Sequence, residues 1–213
     1  MSFKILLVDD DPTLVWHYLI FEYIPGISIG EIYEQVCFDD KIALARNLGE
    51  ATRQMIRLPL DHAPIFRSGL EDFTFFLHTQ RDRCLTNHLQ WHSLPSHLIE
   101  QIEDYLLPVE TLVESRFPHG LLHADITRDH ILGHIEADRW VTLGLIDFGD
   151  ARVGNVYYDL PALHIDLFQC DKRLLRAYLE AYGFWEREEF VHQAMSVALL
   201  HEFNIFAGLS ENL

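Results

Sequence analysis

Residues 121–150 read LLHADITRDHILGHIEADRWVTLGLIDFGD, and this stretch decides the interpretation of the whole chain. It contains two apolar runs of the kind that form short strands, and each run ends in an aspartate. The triplet HAD, with Asp125, follows two leucines, and the triplet DFG, with Asp147, follows the run LGLI. Strands joined through a hairpin would bring both aspartates to one wall of a cleft.

Two carboxylates in this arrangement suit phosphoryl transfer to a hydroxyl group. That reaction needs one carboxylate near the attacking oxygen and a second on the magnesium ion that neutralises the phosphates. The H-x-D and D-F-G elements occur in the right order and in the strand context that such a motif match requires. The competing interpretation is two unrelated surface carboxylates, and the agreement of order, spacing and flanking hydrophobicity disfavours it.

The stretch resembles the catalytic core of the aminoglycoside phosphotransferase and choline kinase superfamily, small-molecule relatives of the protein kinases. The segments DARVG at 150–154 and YYDL at 157–160 are similar to the residues after the metal-binding aspartate in those enzymes. Upstream, YLIFEYIPG at 18–26 resembles their interlobe hinge strand. The resemblance runs from about residue 16 to the C-terminus.

The resemblance implies an α+β fold: a mostly helical, protein-kinase-like C-terminal lobe in which short β-hairpins carry the catalytic and metal-binding motifs. We expect residues 1–24 to be a remnant of N-lobe strands and the hinge, and residues 25–213 to form the C-lobe. Apolar patterning predicts strands at 5–8 and 16–21 and a turn at 9–12. It predicts helices at about 40–58, capped by Asp39 or Asp40, and at about 70–91, 95–114, 171–182 and 186–208.

The opening segment KILLVDDDP at 4–12 offers a different interpretation, because it resembles the first strand and acidic pocket of a response-regulator receiver domain. A receiver also needs an acceptor aspartate after a third strand and a lysine later in the chain. Residues 41–58 are patterned as a helix instead, and the lysines are Lys4, Lys41 and Lys172 alone. These positions disfavour a receiver domain.

The resemblance implies roles for individual residues. Asp125 would be the catalytic base that accepts the proton of the substrate hydroxyl. Asp147 would be a magnesium ligand, since a hard cation prefers carboxylate oxygen. Glu22, Tyr23 and Ile24 would offer hinge backbone groups to the adenine ring of ATP. The implied cofactors are therefore ATP and Mg²⁺.

Two further residues of the catalytic loop leave alternatives open. His130 stands where the superfamily usually has an asparagine as second metal ligand, and imidazole is a poorer magnesium ligand than an amide oxygen. His130 therefore either ligates weakly or acts through water or a phosphate oxygen. Arg128 suits a phosphate oxygen, and a salt bridge to Asp129 or Asp150 is an equal alternative. His123 and Phe148 are expected to pack, and Asp159 to hydrogen-bond backbone near the loop.

Composition and charge restrict the partners. The net charge of −17 argues against a nucleic-acid partner, because phosphate binding needs a basic footprint. Acidity would attract a cationic substrate, although acidic surfaces also simply keep proteins in solution. The three cysteines include no C-x-x-C pair, and no apolar run approaches the length of a membrane span. These features predict reduced thiols, no membrane association and a cytoplasmic location.

The parts that grip the phosphates are missing from this sequence. No G-x-G occurs, and Lys4 alone precedes the hinge, with no room for the helix that carries a partnering glutamate. The chain thus resembles a hinge and lower lobe, and a homodimer or a separate N-lobe chain would cover the exposed cleft. We expect an ATP-dependent phosphotransferase acting on a small-molecule hydroxyl and impaired as an isolated chain. The alternative is a non-catalytic, pseudokinase-like interaction module that keeps the scaffold.

Overall fold

The computed structural model describes residues 5–8, 19–60, 69–114, 118–184 and 189–209. The strands among these residues are, in chain order, β1 (Ile5–Val8), β2 (Leu19–Phe21), β3 (Ile27–Ser28), β4 (Gly120–Leu122), β5 (Ile131–Glu136), β6 (Arg139–Leu145) and β7 (Arg152–Gly154). The α-helices are α1 (Ile29–Ile32), α2 (Phe38–Met55), α3 (Gly69–Trp91), α4 (Ser96–Ile99), α5 (Ile102–Tyr105), α6 (Val109–Leu112), α7 (Leu160–Ala162), α8 (Lys172–Tyr182) and α9 (Phe190–Leu200). Helices predominate, and the strands form small antiparallel pairs and a three-stranded sheet.

The first of two compact units comprises Met1–Cys37 and Arg128–Ile146. In it β1 pairs with β2, and a separate antiparallel sheet has the order β3-β5-β6. The β5–β6 hairpin turns at Ala137 and Asp138, whose φ angles of 47° and 62° are those of a primed two-residue turn. A short 3₁₀ turn, Arg128–His130, precedes β5.

The second unit comprises Phe38–Thr127 and Asp147–Leu213, and its main helix pair is α2 with α8. A Cβ added at Gly49 of α2 would lie 2.3 Å from the carbonyl oxygen of Tyr178 on α8, so glycine permits this close approach. The hydroxyl groups of Thr52 and Tyr178 are hydrogen-bonded at 2.9 Å in the buried interface. These contacts fix the two helices against each other.

Helix α8 shows how the local sequence sets the ends of an element. The Asp171 carboxylate accepts a hydrogen bond from the Arg173 amide at 2.8 Å, a standard N-cap. At the other end Gly183 adopts φ 83°, and the Phe184 amide donates to the Leu179 carbonyl. This left-handed glycine cap ends the helix. The prediction of a helix at about 171–182 is confirmed.

Other predictions met mixed outcomes. The predicted strand at 5–8 and the predicted helix at about 40–58, which is α2, are confirmed. Helix α2 begins at Phe38, so Asp39 and Asp40 lie in its first turn rather than capping it. The single helix expected at 95–114 is wrong, because the chain forms α4, α5 and α6 instead. Pro108 lacks the amide that a continuous helix would use there. The turn at 9–12 lies outside the described residues. No helix within the described ranges is both long and apolar enough to cross a membrane.

Candidate active site

The loop that carries Asp125 begins where β4 ends. Strand β4 pairs antiparallel with β7, and Leu122 lies opposite Arg152 in this ladder. The next two residues, His123 and Ala124, are fully buried. Ala124 has φ 72°, a left-handed conformation that costs a non-glycine residue about 1–3 kcal/mol and tends to occur at functional sites. Asp125 follows directly and is half-buried.

A buried carboxylate holds this loop in place. Asp159 accepts a hydrogen bond from the Ala124 amide at 2.7 Å and is only 1% exposed. Burial raises the pKa of Asp159 to about 7, against the hydrogen bonds from the Ala124 and His123 amides, which lower it. The negative charge of nearby Asp125 raises the pKa further. The expected hydrogen bond of Asp159 to backbone near the HAD loop is confirmed.

The two sequence motifs meet through their aromatic side chains. The rings of His123 and Phe148 have their centroids 4.5 Å apart, at an interplanar angle of 57°. His123 Nδ1 also accepts a hydrogen bond from the Asp125 amide at 3.3 Å. His123 and Phe148 therefore pack together, as expected, and they join the HAD loop to the DFG segment.

Asp147 lies at the start of the DFG segment and is exposed. Its φ of 64° is again left-handed, a conformation that aspartate and asparagine tolerate better than most residues. Both motif segments thus contain a non-glycine residue in a strained backbone region, which marks them as functional candidates. The convergence of the Asp125 and Asp147 carboxylates on one cleft stays a prediction.

Arg152 anchors the chain just after the DFG segment. Its Nη2 donates to Glu202 Oε1 at 2.7 Å, and its Nε donates to the Asp150 carbonyl at 3.1 Å. The guanidinium also stacks on Phe76 of α3, with its carbon 3.8 Å from the ring centroid. Arg152 therefore ties β7 to α3 and to the C-terminal segment. Sequence reasoning missed this pair, since nothing local links residues so distant along the chain.

Tyr158 and His201 form an aromatic pair next to Glu202. Tyr158 donates its hydroxyl to Glu202 Oε1 at 3.3 Å, and its ring stacks on His201 at 4.5 Å. Burial raises the pKa of Tyr158, so the phenol stays protonated. Burial, together with the positive charge of Arg152, lowers the pKa of His201 to about 4. The cluster contains one charged pair in surroundings that are otherwise neutral at physiological pH.

The remaining site residues proposed from sequence belong to the first unit. Glu22 is exposed, Tyr23 is 81% exposed, and Ile24 is half-buried, in a segment without regular structure after β2. Arg128 and His130 are half-buried in the 3₁₀ turn, and the His130 carbonyl accepts a hydrogen bond from the Ile146 amide at 3.0 Å. Their roles stay predictions.

The described residues are compatible with a magnesium ion that is bound mainly through water and substrate phosphates. Within the part of the chain that the structure describes, no three histidine, cysteine, aspartate or glutamate side chains are grouped to hold a metal ion. Magnesium, however, keeps several waters and is usually bound through one or two carboxylates plus substrate phosphates. The exposed carboxylate of Asp147, held at a fixed left-handed position, suits that mode of binding.

Comparison with known sequences settles the family. The sequence profile of the phosphotransferase enzyme family matches residues 4–194. The chain belongs to this family. A curated relative of this chain, the lysine-specific demethylase JMJ21 of Arabidopsis thaliana, is 24% identical over 206 residues, which cover 79% of this chain. The chain spans only 22% of the length of that protein.

Solved structures establish the fold of this chain. The GDP and kanamycin complex of APH(2")-IIia is 18% identical with a TM-score of 0.67, covering 99% of this chain and 73% of that one. The GDP complex of wild-type aminoglycoside 2'-phosphotransferase-IIIa is 17% identical with a TM-score of 0.64, covering 98% and 72%. The streptomycin–ATP–APH(2")-IIa complex is 20% identical with a TM-score of 0.55, covering 84% and 60%. The expected α+β, kinase-like fold is confirmed.

Proposed function

We propose that this phosphotransferase transfers the γ-phosphoryl group of ATP to a hydroxyl group of a small molecule. The observation that carries the proposal is the 4.5 Å contact between His123 and Phe148. This contact holds the segments that carry Asp125 and Asp147 together in one unit, as a reaction between a hydroxyl and a metal-bound phosphate requires.

In this proposal Asp125 is the catalytic base. Its backbone is fixed on both sides, by the bond from its own amide to His123 Nδ1 and by the bond from the Ala124 amide to Asp159. A rigidly placed carboxylate can orient the substrate hydroxyl and accept its proton as the new bond forms. General-base assistance of this kind contributes about 10²–10⁴ to the rate.

Asp147 is the proposed magnesium ligand. Asp147 would hold the ion, which when bound would supply positive charge to neutralise the phosphate oxygens. The chain contributes an exposed carboxylate that a hydrated cation can reach without shedding its whole water shell. The packing of Phe148 on His123 keeps that carboxylate's segment from turning away.

Residues of the first unit receive their proposed roles from the family resemblance. Glu22, Tyr23 and Ile24 would present backbone groups to adenine, Arg128 would contact a phosphate, and His130 would assist the metal. We also propose the division into an N-lobe remnant at 1–24 and a C-lobe at 25–213. The acceptor would be a small hydroxyl compound, and the net charge of −17 would attract a cationic one.

The test measures how ATP binding depends on magnesium. In the wild-type chain, we expect magnesium to strengthen ATP binding, and we expect Asp147→Asn to abolish that gain. Asparagine tolerates the left-handed backbone at 147, so the variant removes charge without adding strain. Asp138→Asn is the matched control, because Asp138 is also exposed and has φ 62°. Equal magnesium dependence in wild-type and Asp147→Asn protein would place the metal elsewhere and overturn the assignment.

A further inference from the structure

A basic groove lies between α2 and α8, on residues that take no part in the candidate active site. Its volume is about 330 Å³, and its charged lining consists of Arg46, Lys172, Arg173, Arg176 and Glu180. All five side chains are exposed. The chain has only 16 lysines and arginines against 33 acidic residues, so four cations around one groove run against the general charge of the protein.

One of these cations is already paired with a carboxylate. Arg173 donates to both carboxylate oxygens of Asp171, with its Nη2 2.6 Å from Oδ2. Its guanidinium carbon lies 4.0 Å from the centroid of the Phe38 ring at the start of α2. The Asp171–Arg173 pair therefore contributes little net charge to the groove.

The other three cations have no such partner among the described residues. Arg46, Lys172 and Arg176 make no ion pair with any residue of the described ranges. Lys172 and Arg176 are four residues apart on α8, a spacing at which like charges repel. Among the lining residues that the structure describes, Glu180 is the single carboxylate set against these three charges. The groove therefore carries a net positive charge that a bound anion would relieve.

We propose that this groove binds a soluble small molecule carrying a phosphate or diphosphate group. Guanidinium groups match the geometry of phosphate oxygens and form short, charge-assisted hydrogen bonds to them. The volume lies at the lower end of the range for small-molecule sites. Arg46 from α2 and Arg176 from α8 would contact the anion from opposite sides, and the hydrogen bond between Thr52 and Tyr178 helps to set the spacing of the two helices.

The test is a calorimetric titration of the whole chain with pyrophosphate at low ionic strength. We expect Arg46→Gln/Arg176→Gln to weaken binding at least about tenfold, since each change removes a charge-assisted hydrogen bond. Arg83→Gln is the matched control, an exposed arginine of α3, and should bind like the wild type. Glu180→Gln should bind more tightly, because it removes the negative charge that Glu180 sets against the cations.

Two further measurements keep the outcome decisive. Thermal denaturation should show a rise in Tm with pyrophosphate in the wild type and in Arg83→Gln, and none in the double variant. Sedimentation with phosphatidic-acid vesicles separates a soluble ligand from a lipid headgroup, and we expect the chain to stay in the supernatant. The proposal is overturned if pyrophosphate binds the double variant as tightly as the wild type, or if millimolar pyrophosphate does not bind the wild type. It is also overturned if the chain binds the vesicles but not pyrophosphate.

Discussion

The rings of His123 and Phe148 are in contact, and through this contact the HAD and DFG motifs are mechanically joined. His123 is completely buried, whereas Phe148 is 37% exposed, so the histidine is the fixed partner and the phenylalanine rests on it. Movement of the DFG segment therefore requires loss of a packed aromatic contact. The arrangement links the proposed base and the proposed metal ligand through side chains that themselves do no chemistry.

Asp125→Asn should reduce turnover without changing nucleotide affinity. A base acts mainly in the transition state, so its loss lowers kcat by about 10²–10⁴ while ground-state binding persists. Steady-state kinetics with an active acceptor and calorimetry with ATP–Mg²⁺ measure the two quantities. Asp82→Asn, at an exposed position of α3, is the control for the loss of one surface charge. An unchanged kcat in Asp125→Asn would mean that another group takes the proton.

The chain alone should bind ATP–Mg²⁺ weakly. Its sequence has no G-x-G loop over the phosphates, and only Lys4 precedes the hinge segment. We expect a Kd in the high-micromolar range or above, corresponding to roughly −5 kcal/mol or less favourable. We also expect little turnover on aminoglycosides, macrolides or choline.

Calorimetry and light scattering on the same samples check this affinity. Low-micromolar binding by a monomer would show that the first 20 or so residues grip the phosphates after all. Low-micromolar binding that appears only at concentrations where a homodimer forms would assign the missing contacts to a second copy. Addition of a separate N-lobe chain, where one is found, tests the remaining alternative.

Asp159 should make stability depend on pH in a defined direction. Its pKa is about 7 in the folded protein against an ordinary 3.8, so the folded state holds a proton that the unfolded state has released. The contribution of this group is therefore complete below about pH 4 and is lost as pH rises through about 7. Between pH 5 and 8, Asp159→Asn should gain roughly 2–3 kcal/mol in unfolding free energy relative to wild type.

The comparison uses urea denaturation of both proteins at each pH. His201 titrates with the opposite sign, because its pKa of about 4 lies below the ordinary 6.5, and stability is lost as pH falls through that interval. Both proteins contain His201, so its effect cancels in the difference between them. A difference that stays constant across the range would contradict the raised pKa of Asp159.

Gly49→Ala should destabilise the second unit. The new Cβ would lie 2.3 Å from the Tyr178 carbonyl oxygen, and this backbone atom cannot rotate away. Overpacking costs about 1–3 kcal/mol, which outweighs the roughly 1 kcal/mol that alanine gains over glycine in a helix. Glu50→Ala, the exposed neighbour, should change the unfolding free energy by less than about 0.5 kcal/mol. A Gly49→Ala variant more stable than wild type would show that α2 and α8 shift apart at little cost to accommodate the new Cβ.

The sequence predicted the features that are encoded locally. Apolar runs ending in HAD and DFG gave the strands and the motif loops, and apolar patterning gave helix α8. Pro108 was a signal that should have divided the helix expected at 95–114. The pairing of Arg152 with Glu202 could not be read from sequence, because it depends on which distant segments the core brings together. The basic groove could not be predicted from sequence for the same reason, since Arg46 and Arg176 are distant along the chain.

The left-handed alanine at 124 limits how the HAD loop can be stabilised against heat. Glycine adopts φ 72° at no steric cost, so replacing Ala124 with glycine would relieve backbone strain. The same replacement would increase the backbone mobility of the neighbouring Asp125, because glycine also adopts conformations that are sterically excluded for alanine. Ala124 is also completely buried, so glycine would lose the packing of the methyl group, which offsets the strain that it relieves. Glycine at 124 would therefore add little heat stability, while the backbone beside Asp125 would lose a constraint.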